Sequence, residues 1–314
     1  MPLKEIEKAE VTCLIDNTVD ILLQNTKVAY RPFLNENWFI NSLIAEHGFC
    51  AAIKLDINGT EHNILFDSGL NPISASHNAK VLGLDLSCNE IVISSHGHTD
   101  HSGGLINIRK KMVEKKEQKI PLILHKDAFR NRMVKFKDGR IINLPAPNRS
   151  DLTRAGYTIV EKQSPSLWIE DSILITGEIP RINDFEKGFP NHYSEIDGKM
   201  ENDPLIKDDQ SFILNIKDKG LVIITGCAHA GIINIIQYAK ELSGEDRIYA
   251  IFGGMHLAGG MFEPLIPKTI TELERLKPEF IIPCHCSGLK AISEISKDMS
   301  KAFIQNSVGT NYIF

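Results

Sequence analysis

Short apolar runs separated by polar turns make up much of the chain, and in the first half they predict strands. Residues 49–57 and 62–66 have the pattern of half-buried strands, and Asn58-Gly59 between them is a typical hairpin turn. A helical pattern follows at residues 72–82. The same half contains three further apolar runs of strand length, at residues 11–15, 91–93 and 120–125.

In the second half, strands alternate with helices. Residues 211–216 and 221–224 predict a hairpin, and the strands at 248–252 and 280–283 are each followed by a helical pattern. The predicted helices lie at residues 232–242, 269–276 and 288–301. No Gly-, Pro- or Ser-rich linker and no repeat is visible, so one domain over residues 1–314 is expected. Hairpins followed by alternating strands and helices indicate an α/β (α+β) fold.

Two segments do not fit these patterns. Residues 180–209 are polar, poorly periodic and too long for an ordinary connection, so we expect a lid or an insertion there. Residues 28–46 are irregular and rich in aromatic side chains. They could cover a site, wall a substrate pocket, pack against the rest of the chain or form a homodimer contact. The aromatic residues concerned are Tyr30, Phe33, Trp38 and Phe39.

Four side chains of the metal-ligand type follow the strand at residues 91–93: His96, His98, Asp100 and His101. Neutral imidazole and carboxylate groups are ligands that zinc, iron and manganese accept. In extended backbone, His101 would point to the side opposite to the other three. We therefore predict that this loop serves two adjacent metal sites, with His96 and His98 at one and Asp100 and His101 at the other.

The segment His-Gly-His-Thr-Asp-His at residues 96–101 resembles the His-x-His-x-Asp-His signature of the metallo-β-lactamase-fold superfamily. Residues 176–181, 225–231 and 253–257 resemble one subgroup, which carries the name 7,8-dihydropterin-6-methyl-4-(β-D-ribofuranosyl)-aminobenzene-5′-phosphate synthase. The resemblance spans about residues 13–285. It implies a four-layer αββα sandwich, in which two mixed β-sheets lie face to face and helices flank them.

The resemblance also implies ligands from later strand ends. His285 follows an apolar strand, as in the superfamily's last motif, and His229 is the next candidate ligand. His256 is a candidate ligand, catalytic acid or substrate contact. Asp67 resembles the first motif, which supports the metal-binding loop from outside the ligand set; capping a helix near Pro72 is a compatible role. The expected cofactors are two divalent transition metals, zinc in the first place, with iron or manganese as alternatives.

The chain departs from the superfamily pattern at two positions. Many relatives have a Gly-Asp pair with a bridging carboxylate where this chain has Gly226-Cys227, and a His after a turn where this chain has Glu178. Cys227 could be a thiolate ligand, which would favour zinc, or a small buried residue with His229 as the ligand in its place. We favour the second interpretation. Glu178 could be a ligand or a base.

The composition limits the partners and the compartment. A formal net charge of −5 gives no reason to expect nucleic acid, and no apolar stretch approaches the ~20 residues of a membrane span. The N-terminus lacks the apolar core of a signal peptide. The six cysteines are scattered, so we expect a reduced cytoplasmic protein without a disulfide framework. Cys284 and Cys286 are expected to point away from His285 and to pack.

These features favour a metal-dependent hydrolase that uses a metal-activated water on an ester, thioester or phosphoester. Asp100 would hold a metal and orient the nucleophile, and Arg181 and Lys207 are candidates for binding a small anionic substrate. The subgroup name implies an alternative. It is a transferase that joins a dihydropterin diphosphate to a ribofuranosylaminobenzene phosphate, as in methanopterin-type synthesis. A non-catalytic metal-binding protein is the third hypothesis.

Overall fold

The computed structural model describes residues 1–32, 42–113 and 118–314. Phe33, Trp38 and Phe39 therefore lie outside the described residues. Within the described ranges, no helix combines the length and the apolar character needed to cross a membrane. The strands are β1 Glu5–Ile6, β2 Lys8–Ile15, β3 Ala29–Tyr30, β4 Cys50–Ile57, β5 Thr60–Asp67, β6 Ile91–Ile93, β7 Ile120–Leu124, β8 Arg132–Lys135, β9 Ile141–Leu144, β10 Tyr157–Glu161, β11 Ser166–Trp168, β12 Ile173–Ile175, β13 His192–Ile196, β14 Lys199–Asn202, β15 Phe212–Ile216, β16 Gly220–Thr225, β17 Ile248–Gly253, β18 Phe280–Pro283 and β19 Asn311–Ile313. The helices are α1 Ser74–Val81, α2 Thr99–Ser102, α3 Leu105–Val113, α4 Arg149–Ala155, α5 Ile232–Ser243, α6 Ile266–Leu276 and α7 Gly288–Asp298.

Two large mixed sheets form the centre of the fold. The first sheet has the strand order β10-β7-β6-β5-β4-β2-β19-β3, and the second has the order β11-β12-β15-β16-β17-β18 with β1 beside β15. The predicted hairpin turn joins β4 to β5, and Asn58 and Gly59 have the positive φ angles, 53° and 79°, that a type I′ turn requires. In the second sheet, β16, β17 and β18 are parallel, as their alternation with α5 and α6 predicts.

Apolar side chains between these layers hold the fold together. Between the sheets, Phe49 packs on Phe252 and Phe66 packs on Phe212, with ring centroids 5.4 and 6.0 Å apart. Each fully buried side chain of this kind contributes about 1.5–3 kcal/mol. The outer face of the first sheet packs against α1, α3 and α4, and that of the second sheet packs against α5, α6 and α7. The predicted four-layer αββα sandwich is therefore confirmed.

Parallel strands bring the loops of the site to one edge of each sheet. β5 and β6 are parallel neighbours in the first sheet, so the loops after their carboxyl ends leave from the same edge. The loops after β16, β17 and β18 leave together from the second sheet in the same way. The start of β15, which is antiparallel to β16, lies at the same edge of the second sheet. Just before it, the Gln210 N–H donates to the Ser95 carbonyl at 3.0 Å and joins the two edges.

A third, small sheet has the order β14-β13-β8-β9. Its strands come from residues 126–164, which show little sequence pattern, and from residues 180–209, where we expected a lid or an insertion. β13 pairs with β8 in antiparallel fashion, with His192 opposite Val134. The polar segment is thus anchored to a second hairpin through backbone hydrogen bonds. Its function as a lid stays a prediction.

Candidate metal centre

Four ligand-type atoms converge where α2 meets the loops after β16 and β18. They belong to Asp100, His101, Cys227 and His285, which we call the carboxylate cluster. His101 Nε2 lies 3.1 Å from His285 Nε2 and 3.2 Å from Cys227 Sγ, and His285 Nε2 lies 3.3 Å from Asp100 Oδ2. Ligands arranged tetrahedrally around zinc at about 2.0–2.3 Å stand roughly 3.3–3.7 Å apart. The observed spacing therefore fits a metal ion at the centre of these four atoms.

Three imidazoles form a second group beside it, the histidine cluster of His96, His98 and His229. Their ring centroids are 4.6 to 4.8 Å apart, and His229 Nε2 lies 3.2 Å from His98 Nδ1. His96 Nε2 is buried and has no hydrogen-bond partner in the described part of the chain. The sulfur of Cys227 lies within 4.8 Å of the ligand atoms of His96 and His229, so it belongs to both groups.

Asp67 and Ser95 orient the imidazoles of His101 and His96. Asp67 Oδ2 accepts hydrogen bonds from His101 Nδ1 and from Ser95 Oγ, each at 2.7 Å. Because the Ser95 hydroxyl donates to Asp67, it accepts from His96 Nδ1 at 2.9 Å. Both rings thus direct their Nδ1 proton away from the site, which leaves Nε2 available to a metal. Asp67 does not cap α1, which begins at Ser74 without a side-chain cap.

The carboxylates favour a positive charge in the carboxylate cluster. Burial alone would lower the pKa of His101, but Asp100 and Asp67 overcome this effect and raise that pKa to about 9. Burial would raise the pKa of Asp100, whereas the imidazoles of His101 and His285 hold it well below its ordinary range. A metal ion can supply the positive charge in place of the His101 proton. The residues present therefore fit a bound divalent cation.

The loop after β6 differs from its predicted course. Thr99–Ser102 form α2, so Asp100 and His101 lie on a helical turn, and the prediction of extended backbone at this point is wrong. The helical turn begins directly after His98, whose backbone is still extended. This change from extended to helical backbone after His98 separates the side chains of His96 and His98 from those of Asp100 and His101. His98 lies in the histidine cluster, while Asp100 and His101 lie in the carboxylate cluster.

Strained backbone places the ligands from the second sheet. Ala228 and His285 have positive φ angles of 60° and 48°, a conformation that costs a non-glycine residue about 1 kcal/mol or more. Gly226 allows a close approach of the two loops, since a Cβ there would lie 2.1 Å from Ser95 Oγ. Such strain is typical of functional sites, where the surrounding structure holds it.

Hydrogen bonds from the end of β2 hold His285 in its strained conformation. Asp16 Oδ1 accepts from the His285 backbone N–H at 2.7 Å, and Asn17 Nδ2 donates to the His285 carbonyl at 3.0 Å. Asn306 donates to the other oxygen of Asp16 at 2.8 Å. The backbone of His285 is therefore bound on both sides, which fixes the position of its ring.

Comparisons with known proteins identify relatives of the chain and solved structures of similar fold. An uncharacterized protein of Methanocaldococcus jannaschii is 32% identical over 280 residues, which cover 89% of this chain and 94% of that protein. The 7,8-dihydropterin-6-methyl-4-(β-D-ribofuranosyl)-aminobenzene-5′-phosphate synthase of the same organism is 28% identical, over 82% of this chain and 87% of its own.

The crystal structure of Tm1679, a metal-dependent hydrolase of the β-lactamase superfamily, matches with a TM-score of 0.72 and 23% identity, over 96% of this chain and 98% of that one. The chain has the metallo-β-lactamase fold. It is similar to both M. jannaschii proteins over most of its length, so the resemblance to the synthase that the sequence motifs predict is confirmed. No family model matches the chain.

His192 at the start of β13 adds to this candidate metal centre, and no sequence pattern singles it out. It is fully buried, and its Nδ1 donates to the Asp203 carbonyl at 2.8 Å. Its Nε2 therefore carries a lone pair, which faces His98 Nε2 at 3.3 Å. His98 donates its Nε2 proton to this acceptor, which leaves His98 Nδ1 free to face the histidine cluster. The small sheet thus sets the tautomer of His98.

We expect His192→Phe to lower metal affinity about 10- to 100-fold, because His98 loses the acceptor that fixes its tautomer. The phenyl ring keeps the packing of the imidazole. Competition with a chelator measures the affinity, and His192→Gln, whose amide oxygen can accept, should recover part of it. His62→Phe is the control. His62 lies near the N-terminal end of β5 and pairs with Glu90, away from the clusters. Unchanged affinity in folded His192→Phe would exclude this role.

Three further candidate residues lie outside the two clusters. Glu178 pairs with His125, at 3.2 Å between Oε1 and Nε2. Arg181 is largely occupied by backbone carbonyls, since its guanidinium donates to those of Ile179 (2.7 Å), Leu205 and His229 (3.4 Å). It therefore braces the loop that carries His229. Lys207 is exposed. A role of Arg181 or Lys207 in substrate binding stays a prediction.

The candidate His256 forms a third group with Cys227 and Cys286, which we call the sulfur cluster. Their ligand atoms all lie within 4.8 Å of one another. Cys284 packs in the core between the sheets, as predicted. The prediction that the Cys286 side chain points away from His285 and packs is wrong. Residues 285–287 form a tight 3-10 turn instead of extended backbone. Cys227 and His229 both lie among the ligand-type atoms, and which of them binds a metal stays a prediction.

Proposed function

We propose that this chain is a metal-dependent hydrolase of a small ester, thioester or phosphoester. The observation that supports the proposal most is the contact of two ligand groups, the histidine cluster and the carboxylate cluster, through the sulfur of Cys227. Each group would hold one divalent ion, and zinc is favoured because thiolate and imidazole are ligands that it prefers. When bound there, two such ions would supply Lewis acidity and a water of lowered pKa as the nucleophile.

Asp100 is the part of the centre that reaches solvent. Its side chain is 19% exposed, whereas His101 and His285 are fully buried. One oxygen of the Asp100 carboxylate faces His285 Nε2. The other oxygen can accept a hydrogen bond from the attacking water and so orient it. The low pKa of Asp100 keeps the carboxylate ionised for this purpose.

His47 lies at the same opening, and no sequence pattern indicates it. Its side chain is 65% exposed, its Nε2 lies 3.7 Å from Asp100 Oδ2, and its ring lies 4.8 Å from the ring of His285. An imidazole in this place can exchange a proton with the departing group of a substrate bound at the opening. Reaction at an exposed edge suits substrates whose scissile bond projects from the rest of the molecule.

A pterin–arylamine transferase is the second candidate. It is favoured by the similarity to the M. jannaschii synthase over 82% of this chain. In that reaction the carboxylate and histidine clusters would hold the metals that bind the diphosphate leaving group, and an arylamine would take the place of water. The transferase additionally needs a flat slot for the pterin ring and cations for the diphosphate.

The two candidates differ in the nucleophile, and one assay separates them. We expect the zinc-loaded protein to hydrolyse at least one member of a panel of small esters, thioesters and phosphoesters, and to lose this activity on chelation. The dihydropterin diphosphate is then supplied with and without the ribofuranosylaminobenzene phosphate. Silence across the panel, together with diphosphate release that requires the arylamine, would establish the transferase and exclude the hydrolase.

A further inference from the structure

The sulfur cluster shares Cys227 with the carboxylate cluster, and its three members approach for identifiable reasons. Positive φ at His285 turns the chain so that the Cys286 thiol donates to the Cys227 carbonyl at 3.2 Å. Gly254 makes room for it, since a Cβ there would lie 2.6 Å from Cys286 Sγ. Two thiols from different strand ends are thereby brought together in a buried position.

His256 completes the group and lacks other polar contacts. Both of its ring nitrogens are shielded from solvent, and neither has a hydrogen-bond partner in the described part of the chain. Leaving a buried polar group unpaired costs about 1–3 kcal/mol. The residue also has a positive φ of 44°, and its ring packs against His229 and Phe262 at centroid distances of 4.1 and 4.5 Å. A strained residue with unpaired buried nitrogens beside two thiols indicates a ligand that is bound through these nitrogens.

We propose that Cys227, His256 and Cys286 form a third metal position, which binds a thiophilic ion such as zinc. Two thiolates and one imidazole are the donor set that soft and borderline cations select, and one further position remains open to a solvent ligand. Binding releases the proton of the Cys286 thiol, and that of Cys227 where the neighbouring ion has not already displaced it, and involves no change of oxidation state. Cys227 bridges this ion and the neighbouring cluster. The proposal concerns binding alone and does not depend on the reaction that the chain catalyses.

The distances allow this without movement of the backbone. Zinc–sulfur bonds of about 2.3 Å and zinc–nitrogen bonds of about 2.0–2.1 Å place tetrahedral ligands roughly 3.5–3.8 Å apart. The three ligand atoms are already within 4.8 Å of one another, so small side-chain rotations suffice. Rotation would turn Cys286 Sγ from the Cys227 carbonyl, which it now faces, towards the ion.

The test is a titration of the reduced, metal-free full-length protein with Cd²⁺. Native mass spectrometry counts the bound ions, and the thiolate-to-cadmium charge-transfer absorption reports the sulfur ligands. We expect the wild type to bind about three ions. Cys286→Ser should bind about two, with roughly half of the absorption lost, because one of two thiolates is gone. His256→Phe, which keeps the ring and removes its nitrogens, should also lose one ion.

The controls separate this position from the rest of the centre. Cys88→Ser changes an exposed thiol and should bind as the wild type does. His98→Ala should lose an ion from the histidine cluster and keep the full charge-transfer absorption. Circular dichroism of the metal-free variants verifies folding. Folded Cys286→Ser or folded His256→Phe with the wild-type number of ions would overturn the proposal. A lack of hydrolysis by the wild type would leave it intact, because the readout counts ions.

Discussion

His96→Ala is expected to remove about one metal ion per chain and to lower metal-dependent turnover roughly 1000-fold or more. His96 Nε2 is buried without a protein partner, so no hydrogen bond in the described structure accounts for its burial. Removal of this ligand leaves the histidine cluster with two imidazoles. The lost charge stabilisation of several kcal/mol corresponds to about three orders of magnitude in rate. Elemental analysis and turnover of a panel substrate measure both effects.

His125→Ala is the matched control for this substitution. His125 is as buried as His96, but its Nε2 pairs with Glu178 at 3.2 Å outside the clusters. The variant should therefore keep its metal content and most of its turnover. If folded His96→Ala instead retained the metal content of the wild type, His96 would not be a ligand, and the assignment of the histidine cluster would be wrong.

The residues at the centre of the site can be predicted from the sequence because they are neighbours along the chain. His96, His98, Asp100 and His101 lie within six positions, and a buried strand directly before them fixes their place at a sheet edge. The same holds for the fold. Alternating strand and helix patterns in the second half predict parallel strands, and the structure has them in β16, β17 and β18.

What the sequence does not reveal are contacts between distant residues and local changes of backbone. His192 is 94 positions from His98 and lies in a polar segment without periodicity, so no local pattern connects the two. The prediction that Cys286 packs away from His285 requires extended backbone, whereas residues 285–287 form a tight 3-10 turn. Whether a residue such as His285 adopts a positive φ is decided by its tertiary hydrogen bonds, here those to Asp16 and Asn17.

The charge pair of Arg132 and Asp208 is another such contact, and it supports the loop that carries His96 and His98. Arg132 Nη2 donates to Asp208 Oδ2 at 2.7 Å, and the same oxygen accepts from the Gly97 N–H at 2.8 Å. Both side chains are 1% exposed. Burial would raise the pKa of Asp208, but the guanidinium of Arg132 holds it below its ordinary range, so the carboxylate stays charged. The pair joins β8 to the peptide between His96 and His98.

Arg132→Met is expected to lower the free energy of unfolding by about 3–5 kcal/mol, because it leaves the Asp208 carboxylate buried without its partner. The thermal midpoint should fall by roughly 5–10 °C. Calorimetry of the metal-free protein measures the change without a contribution from bound ions. Arg140→Met is the control: Arg140 pairs with Asp138 on the surface, with both side chains more than half exposed, and its loss should leave the midpoint nearly unchanged.

A double variant tests whether the unpaired charge causes this loss. Adding Asp208→Asn to Arg132→Met removes the charge, while the amide oxygen can still accept from Gly97. We expect the double variant to recover more than half of the lost stability, because replacing both members of a buried pair costs far less than removing one. The loop that carries His96 and His98 keeps its hydrogen bond to residue 208 in this variant. A double variant no more stable than Arg132→Met would show that the arginine stabilises the protein through its packing and not through its charge.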